Sequence, residues 1–98
     1  MAMPAAPDDI PVTHNEPESR FESLVLGQLA LCEYQMQGER MIFTHTYVPP
    51  ELRGRNIAQQ LVRAALEFAR AKQFKVVPAC SYVAAFIERQ REYQPLLA

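Results

Sequence analysis

Apolar and polar residues alternate along three stretches of the chain after Arg20, and this period of two predicts three β-strands. The stretches cover residues 21–26, 29–36 and 40–48, and short turns that contain glycine separate them. Strands joined by turns this short pair with their neighbours in an antiparallel fashion. This part of the chain therefore predicts an antiparallel meander of three strands.

The same alternation assigns side chains to the two faces of each strand. In the second strand it places Cys32 on an apolar face, where we expect a core residue. In the third strand it predicts one face formed by Met41, Phe43, His45 and Tyr47 and another formed by Ile42, Thr44, Thr46 and Val48. Pro49 and Pro50 end that strand, because neither has an N–H to donate to a neighbouring strand.

Helical spacing follows the two prolines. Residues 56–72 place apolar side chains three and four positions apart, which predicts a helix with Asn56 as its N-cap. Residues 75–80 predict a fourth strand, and Ser81 precedes a final helix over residues 82–90. A helix between the third and fourth strands allows these two to pair in parallel through a right-handed crossover. We therefore expect an α/β (α+β) fold in the order βββ-α-β-α, with both helices packed on a mixed, mostly antiparallel, four-stranded sheet.

The first 19 residues differ in composition from the rest of the chain. They contain half of the eight prolines, four acidic residues and no basic residue, and they show neither a strand period nor a helix period. Such a segment is typical of disorder. We predict a disordered tail over residues 1–19, in which His14 is a solvated side chain. Residues 20–98 then form one folded domain, the number expected for this length.

Composition excludes several classes of protein. A formal net charge of −1 argues against a strongly basic nucleic-acid binder, and no apolar run approaches the roughly 20 residues that span a bilayer. Two cysteines cannot form a disulfide scaffold, and the acidic start lacks the features of a secretory or organelle signal. We expect a cytoplasmic protein with neither nucleic acid nor membrane as a partner.

The basic residues are concentrated around the first predicted helix. Residues 53–75 contain six basic residues and one acidic residue, which suits either a solvated helix face or attraction for a small polyanion. The loop before the helix has small residues at Gly54 and Ala58 and positive charge at Arg53 and Arg55. Because a helix N-terminus presents unpaired N–H groups and roughly half a positive charge, the loop is a candidate cradle for a pyrophosphate. The pattern alone favours an ordinary loop.

Three segments of the chain resemble GNAT-type N-acetyltransferases. The acetyl-CoA loop of that family has the pattern Gln/Arg-x-x-Gly-x-Gly/Ala, and this chain has Arg53-Gly54-Arg55-Asn56-Ile57-Ala58, with Asn56 where the pattern has glycine. The very small single-domain members share a His-Thr-x-Val-Pro segment and a Pro-x-Cys-Ser-Tyr segment. The chain has His45-Thr46-Tyr47-Val48-Pro49 and Pro78-Ala79-Cys80-Ser81-Tyr82 in the corresponding places. The resemblance covers residues 21–93.

The resemblance implies a minimal GNAT-like fold and an N-acetyltransferase that takes acetyl-CoA as cosubstrate and acetylates an amine acceptor of unknown identity. It implies that the third and fourth strands part at their C-terminal ends, where the pantetheine arm pairs with the backbone near Tyr47 and Val48. The diphosphate then contacts the loop amides of Arg53, Gly54, Arg55, Asn56, Ile57 and Ala58. Pro78 is compatible with such a gap, in which its missing N–H needs no partner.

Cys80 and His45 are the candidate catalytic residues. Cys80 precedes a predicted helix N-terminus, which lowers the pKa of a thiol; its position alone favours a buried, inert cysteine, and the resemblance points to it as the active-site residue. His45 suits either a general base or a hydrogen-bonded histidine of the sheet. No acidic residue lies in residues 41–49, the strand on which many GNAT enzymes have a glutamate base. We expect no metal site, because Cys32 and Cys80 have no supporting ligands at metal-binding spacing.

Two other functions stay open at this point. A CoA- or acyl-CoA-binding module without efficient catalysis fits the missing acidic base, and a protein-interaction domain can reuse the same fold. Turnover with amines distinguishes an enzyme from the first alternative, and binding of CoA distinguishes it from the second.

Overall fold

The computed structural model describes residues 10–98 and confirms the predicted mixed sheet with helices packed on it. Within that range the chain forms five strands and two α-helices: β1 (Thr13–Asn15), β2 (Arg20–Val25), β3 (Gln28–Gln37), β4 (Arg40–Tyr47), α1 (Ile57–Lys72), β5 (Lys75–Pro78) and α2 (Ser81–Arg89). Short 3-10 helices cover Glu16–Glu18, Pro50–Leu52 and Arg91–Leu96. Every predicted strand and helix is present, with ends that differ from the predicted ones by at most two residues.

The strands lie side by side in the order in which they occur along the chain, β1-β2-β3-β4-β5. Neighbours from β1 to β4 are antiparallel, and β4 and β5 are parallel. The turns that flank β3 contain glycines with positive φ, Gly27 at 75° and Gly38 at 60°, a conformation that glycine adopts at no steric cost. The parallel pair is connected through α1, in agreement with the crossover predicted from the sequence.

Both helices and the inward side chains of the sheet form one hydrophobic core. The buried residues of the helices follow helical spacing and comprise Ile57, Leu61, Val62, Ala65, Leu66 and Ala69 of α1 and Val83, Phe86 and Ile87 of α2. The sheet adds Phe43 and Val76, both completely buried. The other face of the sheet is less covered, and Leu24 on that face is 65% exposed. Neither α-helix in residues 10–98 has the length and apolar content needed to cross a membrane.

A fifth strand, β1, pairs with β2 at the edge of the sheet, and His14 lies opposite Phe21 in this pair. The His14 ring stacks on Phe21 with 4.1 Å between ring centroids and meets Phe68 edge-on at 4.4 Å. Its Nε2 lies 2.5 Å from the hydroxyl oxygen of Tyr34. These contacts of one histidine attach β1 to β2, β3 and α1 together.

This strand corrects two expectations from the sequence. The sheet has five strands and not four, and residues 13–18 of the predicted disordered tail form β1 and the 3-10 helix after it. The His14 side chain is 17% exposed and is therefore not solvated. Residues 1–9 of the predicted tail lie outside the described range. The sequence did not predict β1 because three residues are too few to show the alternation of a strand. The stability of β1 comes instead from contacts with residues distant in the sequence.

The stability of the fold should decrease in mildly acidic solution because of His14. Burial lowers its pKa below the ordinary value of 6.5, and the Glu16 carboxylate, 3.7 Å away, opposes part of that shift. As the pH falls through 6.5, His14 therefore takes up a proton in the unfolded chain while it is still neutral in the folded chain. The contribution of His14 to stability is complete above that pH and is lost as the pH falls below it.

Thermal unfolding between pH 7.5 and pH 5 measures this effect, and His14→Gln should reduce the dependence on pH. The matched control is His45→Gln, which makes the same replacement at a histidine whose side chain is exposed. Equal pH dependence in the parent chain and in His14→Gln would contradict the assignment to His14.

The C-terminal segment is held against α1 by a buried tyrosine. Tyr93, in Arg91–Leu96, is 1% exposed, and its hydroxyl donates to a carboxylate oxygen of Glu67 at 2.6 Å. The guanidinium groups of Arg63 and Arg70 lie 5.8 and 4.9 Å from the centroid of its ring. Because both the ring and the hydroxyl have partners, this segment is fixed in one position on the helix.

Candidate functional site

A gap opens between β4 and β5 because the two strands pair along only part of their length. Their parallel register ends with Phe43 opposite Pro78, and the backbone N–H of Cys80 donates to the Phe43 carbonyl at 2.8 Å. β4 then continues to Tyr47, whereas the chain after β5 turns into α2. The two strands therefore part at their C-terminal ends.

A β-bulge in β4 changes the faces on which its last residues lie. Opposite β3, the pairing changes from Tyr34–Phe43 to Glu33–His45, so Thr44 is an extra residue in β4. One extra residue reverses the alternation of side chains beyond it. The faces predicted for the end of this strand are therefore wrong, because an inserted residue leaves no mark in an alternating pattern.

The bulge turns Thr46 towards the core side of the gap. The Thr46 hydroxyl oxygen lies 3.6 Å from the Cys80 sulfur and 3.8 Å from the Cys32 sulfur. The side chains of His45 and Tyr47 point to the opposite face, where both are exposed and their ring centroids lie 6.5 Å apart. The structure thus places the two candidate catalytic residues, Cys80 and His45, on different sides of the sheet.

A cavity of about 410 Å³ lies between the end of β4 and the start of α1. Its lining includes most of the residues predicted to bind the cofactor, namely Tyr47, Val48, Arg53, Gly54, Asn56, Ile57 and Ala58, and it leaves out the predicted Arg55. Thr46 and Tyr82 also line it. The structure therefore brings the predicted strand and loop residues together around one opening.

The loop before α1 turns through two residues with positive φ. Gly54 has a φ of 85°, and Asn56 has a φ of 61° and a ψ of 23°, which is the left-handed conformation. Asparagine adopts this conformation more readily than most residues, so Asn56 can make the turn for which the GNAT loop pattern has glycine. Asn56 is also the N-cap residue of α1. Its side chain makes no capping hydrogen bond, because side-chain capping requires extended backbone at that position.

Two polar groups at the cavity already have partners within the chain. The backbone N–H of Arg53 donates to the Pro50 carbonyl at 3.3 Å, and the Arg53 side-chain Nε donates to the Val48 carbonyl at 3.1 Å. The Arg53 amide N–H is thus already used in a 3-10 turn. The Val48 carbonyl can accept a hydrogen bond from a ligand N–H only if that N–H replaces the Arg53 side chain. Because the Arg53 side chain is exposed, water can replace its lost hydrogen bond.

Cys80 is the N-cap residue of α2 and is partly exposed. Burial raises the pKa of its thiol, but the N–H of Val83, the Thr46 hydroxyl and the N–H of Tyr82 bring the pKa below its ordinary value. The sulfur makes no capping hydrogen bond, so these N–H groups act on it as nearby dipoles. Cys32, in contrast, is completely buried, and burial raises its pKa to about 12. Cys80 is therefore the thiol suited to react, and Cys32 is a core residue, as predicted.

Thr46 is the neighbour of Cys80 that the sequence analysis missed. Simple alternation placed its side chain on the wrong face of the strand. The signal that could have identified it is the His-Thr-x-Val-Pro segment, in which Thr46 occupies one of the defined positions.

Comparison with known proteins identifies relatives over most of the chain. Residues 20–96 match the family model described as GCN5-related N-acetyl-transferase. Protein NATD1 of Bos taurus is 32% identical over 93 residues, which cover 89% of this chain and 82% of the relative. Protein NATD1 of Danio rerio is 30% identical over 88 residues, which cover 87% of this chain and 80% of the relative.

A solved structure shows the same fold. The NMR solution structure of a GCN5-like protein from Staphylococcus aureus matches with a TM-score of 0.73 over 91% of this chain and 88% of that chain, at 24% sequence identity. At this identity the likeness concerns the fold alone. Because the family model spans residues 20–96, most of the sequence, the chain belongs to the GCN5-related N-acetyltransferase (GNAT) family.

Proposed function

We propose that this chain is an acetyl-CoA-dependent N-acetyltransferase that transfers acetyl to an amine, with Cys80 as its reactive residue. The main support is the cavity between β4 and α1. Its lining combines the left-handed turn of Gly54 and Asn56 with Thr46, whose hydroxyl lies beside the Cys80 sulfur. The opening thus offers a turn suited to an anion, and the Cys80 sulfur lies next to Thr46, one of the residues that line it. Membership of the GNAT family supports acetyl transfer as the chemistry.

The polarity of the cavity suggests how acetyl-CoA lies in it. The first turn of α1 has the positive end of the helix dipole, and the exposed Arg53 and Arg55 add charge there, so the diphosphate belongs at the loop. The pantetheine amides belong along Tyr47 and Val48, on the edge of β4 that β5 leaves unpaired. The acetyl thioester then extends towards Thr46 and the sulfur beside it.

The Cys80 thiolate can promote acetyl transfer by two routes. As a nucleophile it attacks the acetyl carbonyl, the bond from that carbon to the CoA sulfur breaks, and the CoA thiolate takes a proton from water. The amine then attacks the acetyl-cysteine, loses a proton to water and releases the Cys80 thiolate. As a base, the thiolate takes a proton from the amine while the amine displaces CoA directly. His45 faces the other side of the sheet, and we assign it no part in either route.

Two measurements test the proposal. Isothermal titration with acetyl-CoA measures binding, and the release of free CoA with a panel of amines measures transfer. The panel contains a polyamine, lysine-containing peptides, peptides with a free N-terminus and small metabolite amines. We expect binding and amine-dependent release of CoA, whereas no binding at millimolar acetyl-CoA would reject the proposal.

A CoA- or acyl-CoA-binding module without efficient catalysis is the second candidate. The position of His45 favours it, because the described residues that line the cavity then include no histidine, aspartate or glutamate to act as a base. If this function is the right one, acetyl-CoA binds but no amine in the panel accelerates the release of CoA. A protein-interaction domain would show neither binding nor release.

Gly54→Val should weaken CoA binding by about tenfold or more, since strain at such a backbone position costs on the order of 1–3 kcal/mol. No protein atom lies within 4 Å of where a Cβ at Gly54 would be, so crowding within the protein is not the cause. Valine instead resists a φ of 85°, and the loop must change shape. The matched control is Gly27→Val, at a φ of 75° with equally open space in the turn between β2 and β3. Titration of both variants should show lower affinity only for Gly54→Val, and unchanged affinity would count against the loop as the diphosphate site.

A further inference from the structure

We propose that Thr46 is a positioning residue for Cys80: its hydroxyl donates a hydrogen bond to the Cys80 thiolate and holds the sulfur beside the cavity. The inference rests on the proposed function, in which that thiolate is the reactive group. In this proposal the Cys80 sulfur has a partner on β4 in addition to the backbone N–H groups at the N-terminus of α2.

The contact depends on the bulge in β4. Thr46 lines the cavity, and its hydroxyl oxygen lies 3.6 Å from the Cys80 sulfur. Without the extra residue at Thr44, regular alternation would turn Thr46 to the outer face of the sheet. The bulge is therefore the feature that brings a hydroxyl to the sulfur from the strand side of the gap.

The number of protons determines the direction of the hydrogen bonds around Thr46. A hydroxyl has one proton and can donate to only one of the two sulfurs at a time. While Cys80 is a thiol, the Thr46 hydroxyl donates to the Cys32 sulfur, and the Cys80 S–H can donate to the Thr46 oxygen. Once Cys80 loses its proton, its thiolate can only accept, so the hydroxyl turns towards it. Cys32 keeps its proton, because burial raises its pKa to about 12, and it can then donate to the Thr46 oxygen.

The residues at the start of α2 have a different role. The Tyr82 phenol has a pKa raised by burial, an effect that Arg89 only partly opposes, so this phenol is neutral at pH 7. The backbone N–H groups of Tyr82 and Val83 act on the sulfur from the helix. Thr46 acts from β4 on the other side of the gap, and the sulfur is therefore held between a strand and a helix.

Alkylation of the full chain at a series of pH values tests this role in the absence of acetyl-CoA. The reaction of Cys80 with iodoacetamide is followed by peptide mass spectrometry, which separates Cys80 from the buried Cys32. Thr46→Val removes the hydroxyl at nearly constant shape and should raise the midpoint of the alkylation profile by about one pH unit, or slow the reaction about tenfold at pH 7. Thr46→Ser keeps the hydroxyl and should react within about twofold of the parent chain. A Thr46→Val profile that superimposes on that of the parent would overturn the inference.

Two further variants control the experiment. Thr13→Val makes the same replacement at an exposed position of β1, away from the sulfur, and should leave the profile unchanged; an equal shift in this variant would also overturn the inference. Thr46→Ala is a second variant without the hydroxyl and replaces Thr46→Val if circular dichroism shows that the valine variant is unfolded. A shifted profile without any acetyl transfer rejects the proposed function and retains the role of Thr46. An unchanged profile with normal transfer rejects the role of Thr46 alone.

Discussion

Cys80→Ala should lower the rate of acetyl transfer by at least about a hundredfold while acetyl-CoA binds as tightly as to the parent chain. The reason for the loss is that alanine supplies neither a nucleophile nor a base at the end of the cavity. Binding should persist because the cavity is lined by residues of β4, of the loop before α1 and of the first turn of α1, and by Tyr82, but not by Cys80. Release of CoA in the presence of an accepted amine measures the rate, and isothermal titration measures the affinity.

Additional measurements make this result specific to Cys80 and separate its two possible roles. Incubation of the parent chain with acetyl-CoA without an amine should add the mass of one acetyl group if Cys80 is the nucleophile, and no mass if it is the base. The comparison variant is His45→Gln, which should keep most of the activity because this side chain faces the other side of the sheet. Transfer by Cys80→Ala at the parent rate would show that the sulfur has no part in the reaction.

Phe43→Ala should destabilise the fold by about 3–5 kcal/mol, the usual cost of removing a buried aromatic ring. Phe43 is completely buried, and it lies on β4 where the pairing with β5 ends. Its ring packs near that of Tyr34, with 6.5 Å between the centroids. Strands on both sides of β4 and the helices above limit how far the core can close around the void. Because a domain of this size is stable by only about 5–15 kcal/mol, urea unfolding should show a much lower midpoint.

Leu24→Ala is the matched control for this loss of core packing. Leu24 is an apolar residue of β2 that is 65% exposed, and its replacement should change the stability by no more than about 0.5 kcal/mol. Equal urea midpoints for Phe43→Ala and Leu24→Ala would contradict the assignment of Phe43 to the core.

The alternating and helical patterns predicted most of the fold because burial on one side is a repeated constraint. β2, β3 and β4 each bury a set of side chains against α1, and β4 also packs on α2. The 16 residues of α1 keep one apolar face throughout. Errors arose where a single residue decides the outcome. Thr44 is one extra residue in β4, and it reverses the faces of His45 and Thr46. β1 has three residues, and its place in the sheet depends on the packing of His14.

The candidate site was predictable from the sequence to the extent that it is formed by the backbone. The loop before α1 was located by its small and basic residues, and the structure confirms a turn there with positive φ at Gly54 and Asn56. The surroundings of Cys80 were not predictable in the same way. They depend on which side chain of β4 crosses the gap, and only the three-dimensional register places Thr46, and not His45, next to the sulfur.

The agreement between strand order and chain order has a consequence for how the protein folds. Pairing of each strand from β1 to β4 with the next one closes only short loops. Pairing of β4 with β5, in contrast, closes a loop that contains the whole of α1. Loop-closure entropy grows with loop length, and contacts between distant residues slow folding. We therefore expect the hairpins to form early and the parallel pair to form last, so that a partly folded chain has most of its sheet but lacks the gap between β4 and β5.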